Sequence, residues 1–187
     1  MKNVEIKKLR TGIFIDASNL LWSMKSKDSR GERMNYDICF EKLMALLHES
    51  YSPIFCNYYV CEDMSPVSEK YAPQVSAQGK FLKKLESFGY SLMRKPLKHI
   101  GSVAKCDTDV EIVVDMYASI NTIDVIVLFS GDSDFKKALE FFHSQGKRVY
   151  VYAFRNFLAW ELKDFAMRHD RCGYRLLDDL RGDLERL

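Results

Sequence analysis

Four aspartates stand just past the end of a buried strand or at the start of a helix, and they are the side chains best placed to do chemistry. The clearest case is Asp124-Val-Ile-Val-Leu-Phe-Ser-Gly-Asp-Ser-Asp-Phe135, where an apolar, β-branched run from Val125 to Phe129 breaks at Ser130-Gly131-Asp132-Ser133-Asp134. Such a run suits a strand covered on both faces. Gly131 closes it with a tight turn, and Asp132, with Ser133 and Asp134, falls where the next helix, Phe135 to Phe142, needs its first N–H groups capped. Two carboxylates therefore project from the carboxyl end of a central strand, which is where open α/β sheets place their ligands. Taken alone, the pair reads equally well as caps that offset the helix dipole.

The same pattern recurs near the start of the chain, where Thr11-Gly-Ile-Phe-Ile ends in Asp16 and is followed by Ser18 and Asn19. A third contribution comes from Lys105 to Tyr117, an amphipathic helix start. At about 100° per residue, Asp109 shares a face with Ile112, Val113, Met116 and Ile120. That face packs on the sheet, so Asp109 sits at its amino end, above the strand tips. Asp115 falls about 240° round and ~9 Å further along, away from the inner shell. Like charges gathered without Lys or Arg are unfavourable unless a cation neutralises them or protons are taken up. An oxygen-only set without His or Cys suits Mg²⁺ or Mn²⁺ and not zinc.

Phe14-Ile-Asp-Ala-Ser-Asn-Leu20, Lys105 to Met116, Leu128-Phe-Ser-Gly-Asp-Ser-Asp-Phe135 and Gly146-Lys-Arg-Val-Tyr-Val-Tyr152, in that order, resemble the NYN domain of the PIN-like nucleases and its LabA-like branch in particular. The likeness runs from about residue 11 to about residue 178. It implies a metal-dependent ribonuclease fold whose catalytic and metal-binding carboxylates correspond to Asp16, Asp109, Asp132 and Asp134, with Asn19 and Asp115 as further motif positions. It also implies a strand order 3-2-1-4-5, which sets strands one and four side by side and Asp16 next to Asp132, and it suggests a homodimer. Ala17-Ser18, where Gly-Glu or similar is common, and Cys106-Asp107-Thr108 before Asp109 depart from the family pattern and leave the carboxylates in place.

On this reading Asp16 and Asp132 are the first ligands of Mg²⁺ or Mn²⁺, and Asp109 and Asp134 complete or bridge the site. Asn19 fixes the first loop or a bound water, and Ser130 holds a carboxylate in place. The expected partner is RNA, single-stranded in preference. Basic residues crowd between Lys70 and Lys105, with Glu86 the only acid among them, and a cationic patch beside an acidic site holds phosphates. Arg94, Lys95, Lys98, Lys105 and Arg155 are the candidate substrate contacts, and Lys98 to Lys105 reads as a substrate loop. His99 reads as an exposed loop histidine, and Trp22 and Trp160, which could stack on bases, read first as core or rim packing. The alternative function is a non-catalytic RNA-binding or adaptor domain on the same fold.

The elements that must position these residues alternate strand and helix, with crossovers long enough for parallel pairing. Strands are expected at about Gly12 to Asp16, Ile54 to Val60, Tyr90 to Lys95, Val125 to Phe129 and Arg148 to Phe154, with a short sixth at Tyr174 to Leu177. Helices are expected from Asn19, from a cap at Asn35 or Asp37 to a stop at Pro53, and over Gln74 to Phe88, with a last one from Phe157 to Met167. This is an α/β three-layer α/β/α sandwich with a mostly parallel five- or six-stranded sheet. A chain of 187 residues with 47% apolar content suffices for one domain spanning 1–187. A formal charge of +2 is too small for a protein that coats nucleic acid, so binding rests on local patches. Five scattered cysteines without zinc spacing, no signal peptide and no long apolar run point to reduced thiols in a cytoplasmic protein without a membrane partner.

Overall fold

The computed structural model describes residues 9–27, 36–62, 72–100 and 103–186. In chain order the elements are β1 (Arg10–Asp16), α1 (Ala17–Lys25), α2 (Phe40–Ser50), β2 (Ser52–Glu62), α3 (Ala72–Ser87), β3 (Ser91–Pro96), β4 (Lys98–Ile100) and β5 (Val103–Lys105). They continue as α4 (Asp109–Ala118), β6 (Val125–Phe129), α5 (Lys136–Ser144), β7 (Arg148–Ala153), α6 (Trp160–Arg168), β8 (Cys172–Leu176) and α7 (Arg181–Leu184). Short 3₁₀ turns at Ser133–Phe135 and Leu177–Leu180 precede α5 and α7.

The main sheet runs β3-β2-β1-β6-β7-β8, and every neighbouring pair in it is parallel. This is the expected 3-2-1-4-5 order with the short last strand added as a sixth. Alternation along β1 and β6 explains the three layers. Ile13, Ile15, Val125, Val127 and Phe129 point to one face, where they meet Leu20 of α1, Leu43 and Leu47 of α2, and Leu82 and Leu85 of α3. Phe14, Ile126 and Leu128 point to the other, against Ile112 and Met116 of α4, Leu139 and Phe142 of α5, and Leu162 and Phe165 of α6. Both faces of β6 are fully covered, which is why its sequence is continuous and not alternating.

Several boundaries differ from expectation for identifiable reasons. Helix α2 begins at Phe40 with Cys39 as its N-cap residue, and no side chain bonds there. The carboxyl-terminal segment covers this end instead: Cys39 N–H donates to the Leu184 carbonyl at 2.8 Å, and Ile38 bridges Glu185. Asn35, the other expected cap, lies outside the described residues. Pro53 does not stop a helix but is the second residue of β2, beside a register shift at Thr11 and Gly12, where its missing N–H is tolerated. Helix α6 starts at Trp160, three residues late, because Phe157 and Leu158 turn back on the Phe154 carbonyl. Lys98 to Lys105, read as a loop, forms an antiparallel hairpin of β4 and β5. The expectation of reduced thiols also fails in one place, since Cys61 at the end of β2 is bonded to Cys106 just ahead of α4. Cys39, Cys56 and Cys172 are free.

Gly131 shows why the turn after β6 tolerates no side chain. A Cβ there would overlap the carbonyl of Phe157, and the Gly131 carbonyl accepts the Ala159 N–H at 2.9 Å. Gly131→Ala is therefore expected to destabilise the protein by ~1–3 kcal/mol or more, the range of overpacked sites. Gly146→Ala meets open space at a positive φ of 79°, and is expected to cost only about 1 kcal/mol. Urea melts of the two variants beside the wild type check the difference.

Candidate metal centre

The parallel pairing of β1 with β6 sets Ile15 opposite Phe129, so Asp16 and Ser130 leave the sheet side by side. Asp16 is 4% exposed. Its Oδ1 accepts the Asn19 N–H at 3.0 Å as the N-cap of α1, and its Oδ2 accepts the Ser130 hydroxyl at 3.1 Å. Asn19 Oδ1 in turn accepts the Gly131 N–H at 3.1 Å, and Ser130 Oγ accepts the Asp132 N–H at 3.3 Å. Asp132 Oδ1 then caps the following turn by accepting the Asp134 N–H at 3.0 Å. A chain of hydrogen bonds thus runs from α1, across both strand ends, to the Asp132–Asp134 turn. Burial pushes the Asp16 carboxyl above its ordinary range, the bonds from Asn19 and Ser130 oppose that, and the Asp132 charge adds to it.

Helix α4 brings the remaining carboxylate. Ile112 and Met116, both fully buried, pack with Phe14 of β1 and hold the helix over the sheet. Its first residue is Asp109, whose N–H is capped by Asp107 Oδ1 at 2.8 Å. Carboxylate oxygens of Asp109, Asp132 and Asp134 come within 4.8 Å of one another. Asp16 is not one of these three, but lines the same cleft of about 380 Å³ as Asp109 and Asp132, together with Asn19, Thr108 and Trp22. The Asp109 carboxyl is pushed up to about 7, first by burial and then by the charges of Asp107 and Asp16, with Asp132 adding a smaller share. Among the described residues, no salt bridge involves Asp16, Asp109, Asp132 or Asp134.

These residues fit a hard divalent cation. The donors are all oxygens, they repel one another while they lack one, and the buried Thr108 hydroxyl beside Asp109 has no hydrogen-bond partner. Asp115 stands apart, as its helical position requires. It accepts the Tyr59 hydroxyl at 2.8 Å and so ties α4 to β2.

The candidate cations are mostly engaged within the chain. Arg94 reaches both oxygens of Glu62 at 3.0 Å and Glu86 at 3.2 Å. Lys95 pairs with Glu111 at 2.7 Å and donates to the Asp107 carbonyl, fastening β3 to the start of α4. Arg155 pairs with Asp179 at 2.6 Å. Lys98 is exposed, while the side chains of Lys105 and His99 lie outside the described residues. Trp22 and Trp160 do not fill the core, since they are 65% and 62% exposed. That Trp22 lines the acidic cleft escaped the sequence reading, although Asp16, Asn19 and Trp22 follow at three-residue spacing on one side of a helix.

Acidic side chains at the carboxyl ends of the strands, in a parallel sheet ordered 3-2-1-4-5-6, define an α/β fold of the PIN-like kind. The chain belongs to the NYN domain family, whose model matches residues 10–169; this is a family of PIN-like nucleases. Over 109 residues it is 32% identical to the Low amplitude and bright protein LabA of Synechococcus elongatus (strain ATCC 33912 / PCC 7942 / FACHB-805), which covers 54% of this chain and 56% of LabA. The chain thus matches little more than half the length of that relative. Its fold resembles the crystal structure of a protein of unknown function from Vibrio parahaemolyticus RIMD 2210633, with a TM-score of 0.73 and 21% identity over 98% of this chain and 99% of the other. No helix among the described residues is long and apolar enough to cross a membrane.

The raised Asp109 carboxyl has a consequence for stability in the absence of metal. Between the ordinary value of 3.8 and about 7 the folded protein holds a proton that the unfolded chain releases. The contribution of Asp109 is therefore fully present below about pH 4 and is lost as the pH rises through about 7. In EDTA, urea melts across this window should show wild-type stability falling with pH more steeply than that of Asp109→Asn. Added Mn²⁺ should raise the melting temperature more at pH 7.5 than at pH 5.5, because the cation competes with that proton.

Proposed function

We propose that the chain is a metal-dependent ribonuclease that hydrolyses phosphodiester bonds of single-stranded RNA at the cleft lined by Asp16, Asp109 and Asp132, with Asp134 beside it in the carboxylate cluster. The observation that carries this reading is the convergence of Asp109, Asp132 and Asp134 within 4.8 Å, without a salt-bridging cation among the described residues. Helix capping alone explains Asp132 but gives no reason to bring Asp109 from another element into the same cluster. Membership of the NYN family supports the same chemistry.

Asp109, Asp132 and Asp134 would hold Mg²⁺ or Mn²⁺, with Asp16 adding negative charge from beneath. Such an ion would supply an acidified water and neutralise charge on the leaving oxygen. Asp16, braced by Asn19 and Ser130, keeps the ends of β1 and β6 at fixed separation. Without a cation the Asp109 carboxyl is pushed up to about 7, so taking the ion displaces the proton it holds below that pH. Lys98 offers an exposed charge for phosphate contact on the β4–β5 hairpin, whereas Arg94, Lys95 and Arg155 act first as structural ion pairs.

Labelled single-stranded RNA incubated with the protein should be cut in Mn²⁺ or Mg²⁺ and left intact in EDTA. Asp132→Asn should lose the activity while folding normally, since Asn caps a helix about as well as Asp. Its melting temperature in EDTA should equal or exceed that of the wild type, because one repelling charge is gone. A tenfold loss of Mn²⁺ affinity would shrink the stabilisation by saturating Mn²⁺ by about 1.4 kcal/mol. RNA that is shifted but never cut would favour a non-catalytic RNA-binding or adaptor role.

A further inference from the structure

We infer that Trp22 forms a nucleobase-stacking subsite beside the acidic cluster, so that the cleft grips one unpaired base of its RNA by the indole face. The inference rests on the ribonuclease reading above and assigns it a second element of recognition. Most of the large aromatic side chains among the described residues are buried, yet Trp22 leaves 65% of its surface open and lines the cleft shared by Asp16, Asn19, Asp109 and Asp132. Trp160 and Tyr117 are comparably exposed, but neither lines that cleft.

The placement of Trp22 is fixed by the helix that carries it. Asp16 caps α1, Asn19 of the same helix bonds the Gly131 N–H, and Leu20 and Ser23 are buried. Leu20 lies about 200° round the helix from Trp22, so anchoring Leu20 in the core turns Trp22 outward. The indole packs against Phe157 at 5.2 Å between ring centroids and 85° between planes. In a perpendicular contact at most one face of the indole is covered, which leaves a face open for stacking while the neighbour steadies the ring.

Charge gives the reason such a contact is needed. The cleft is acidic and repels phosphate, and Arg94, Lys95 and Arg155 already hold carboxylates. An uncharged contact that accepts any base meets that need, because every base has a π-face. Single-stranded RNA is the substrate form it suits, since its bases are free to splay out of a stack.

The test uses the full chain carrying Trp160→Phe, which leaves Trp22 as the sole indole. Titration with a short single-stranded RNA in EDTA should quench the fluorescence of Trp22. The same RNA lacking one base at successive positions should quench less at one position. Trp22→Ala should weaken RNA binding by about 5- to 150-fold, the range for loss of one stacked base, with no change in the salt dependence of binding. In Mn²⁺ its KM should rise by a similar factor with kcat little changed, and Trp22→Phe should restore most of the loss. Unquenched fluorescence on RNA binding, or wild-type binding and KM in Trp22→Ala, would overturn the subsite and leave the ribonuclease reading standing if the wild type cuts RNA. A wild type that neither binds nor cuts RNA would overturn both. Should Trp22→Ala lose its fold, the quenching and the Trp22→Phe kinetics decide the matter.

Discussion

The pairing of β1 with β6 is the constraint on which the rest depends. Its register brings Asp16 and Ser130 out of the sheet together, and two short bridges, Ser130 to Asp16 and Gly131 to Asn19, lock the strand ends to the start of α1. Because Gly131 also lies flush against the Phe157 backbone, the turn carrying Asp132 and Asp134 has a fixed position relative to both neighbouring strands. A shift of one residue would exchange two differently packed faces and part Asp16 from Ser130. The acidic cleft therefore inherits its geometry from the most deeply buried part of the molecule.

The energetics of that cleft run against the rest of the surface. Elsewhere acids and bases pair off: Arg94 with Glu62 and Glu86, Lys95 with Glu111, Arg155 with Asp179. Exposed pairs of this kind contribute little individually, about 1 kcal/mol or less, but here they also neutralise cations that could otherwise have quenched the cluster. Asp109, by contrast, is half-buried among other carboxylates and is pushed up to about 7. The link from Cys61 to Cys106 and the bond from Lys95 to the Asp107 carbonyl hold the segment that delivers Asp109 against β2 and β3. The protein thus keeps an unfavourable charge arrangement in place with its own framework, as a preorganised ion site requires.

Much of this was legible in the sequence where the signal is local. Val125 to Phe129 announces a central strand because no residue in it tolerates water, and Asp132 announces a cap because it precedes a helical apolar pattern at a glycine turn. The helical position of Asp115 placed it outside the inner shell, and it is found on Tyr59 instead. What could not be read locally depends on partners that only the fold brings together. Glu62 and Glu86 lie 32 and 8 residues from Arg94, and Cys61 lies 45 residues from Cys106. Pro53 misled because it is a helix breaker that β2 accommodates at an irregular point of its ladder. For Trp22 the sequence left core and rim packing open, and only the rotation of α1 shows that it sits at the rim against Phe157.

The central claim is that the carboxylates of the cleft form an ion site and do not merely cap helices. The most direct measurement is anomalous scattering from crystals soaked in Mn²⁺. The account predicts a strong peak within bonding range of at least two of Asp109, Asp132 and Asp134, with Asp16 still bonded to Ser130 and Asn19. A cleft without any peak, in crystals where these carboxylates are ordered and Mn²⁺ is bound elsewhere, would contradict it.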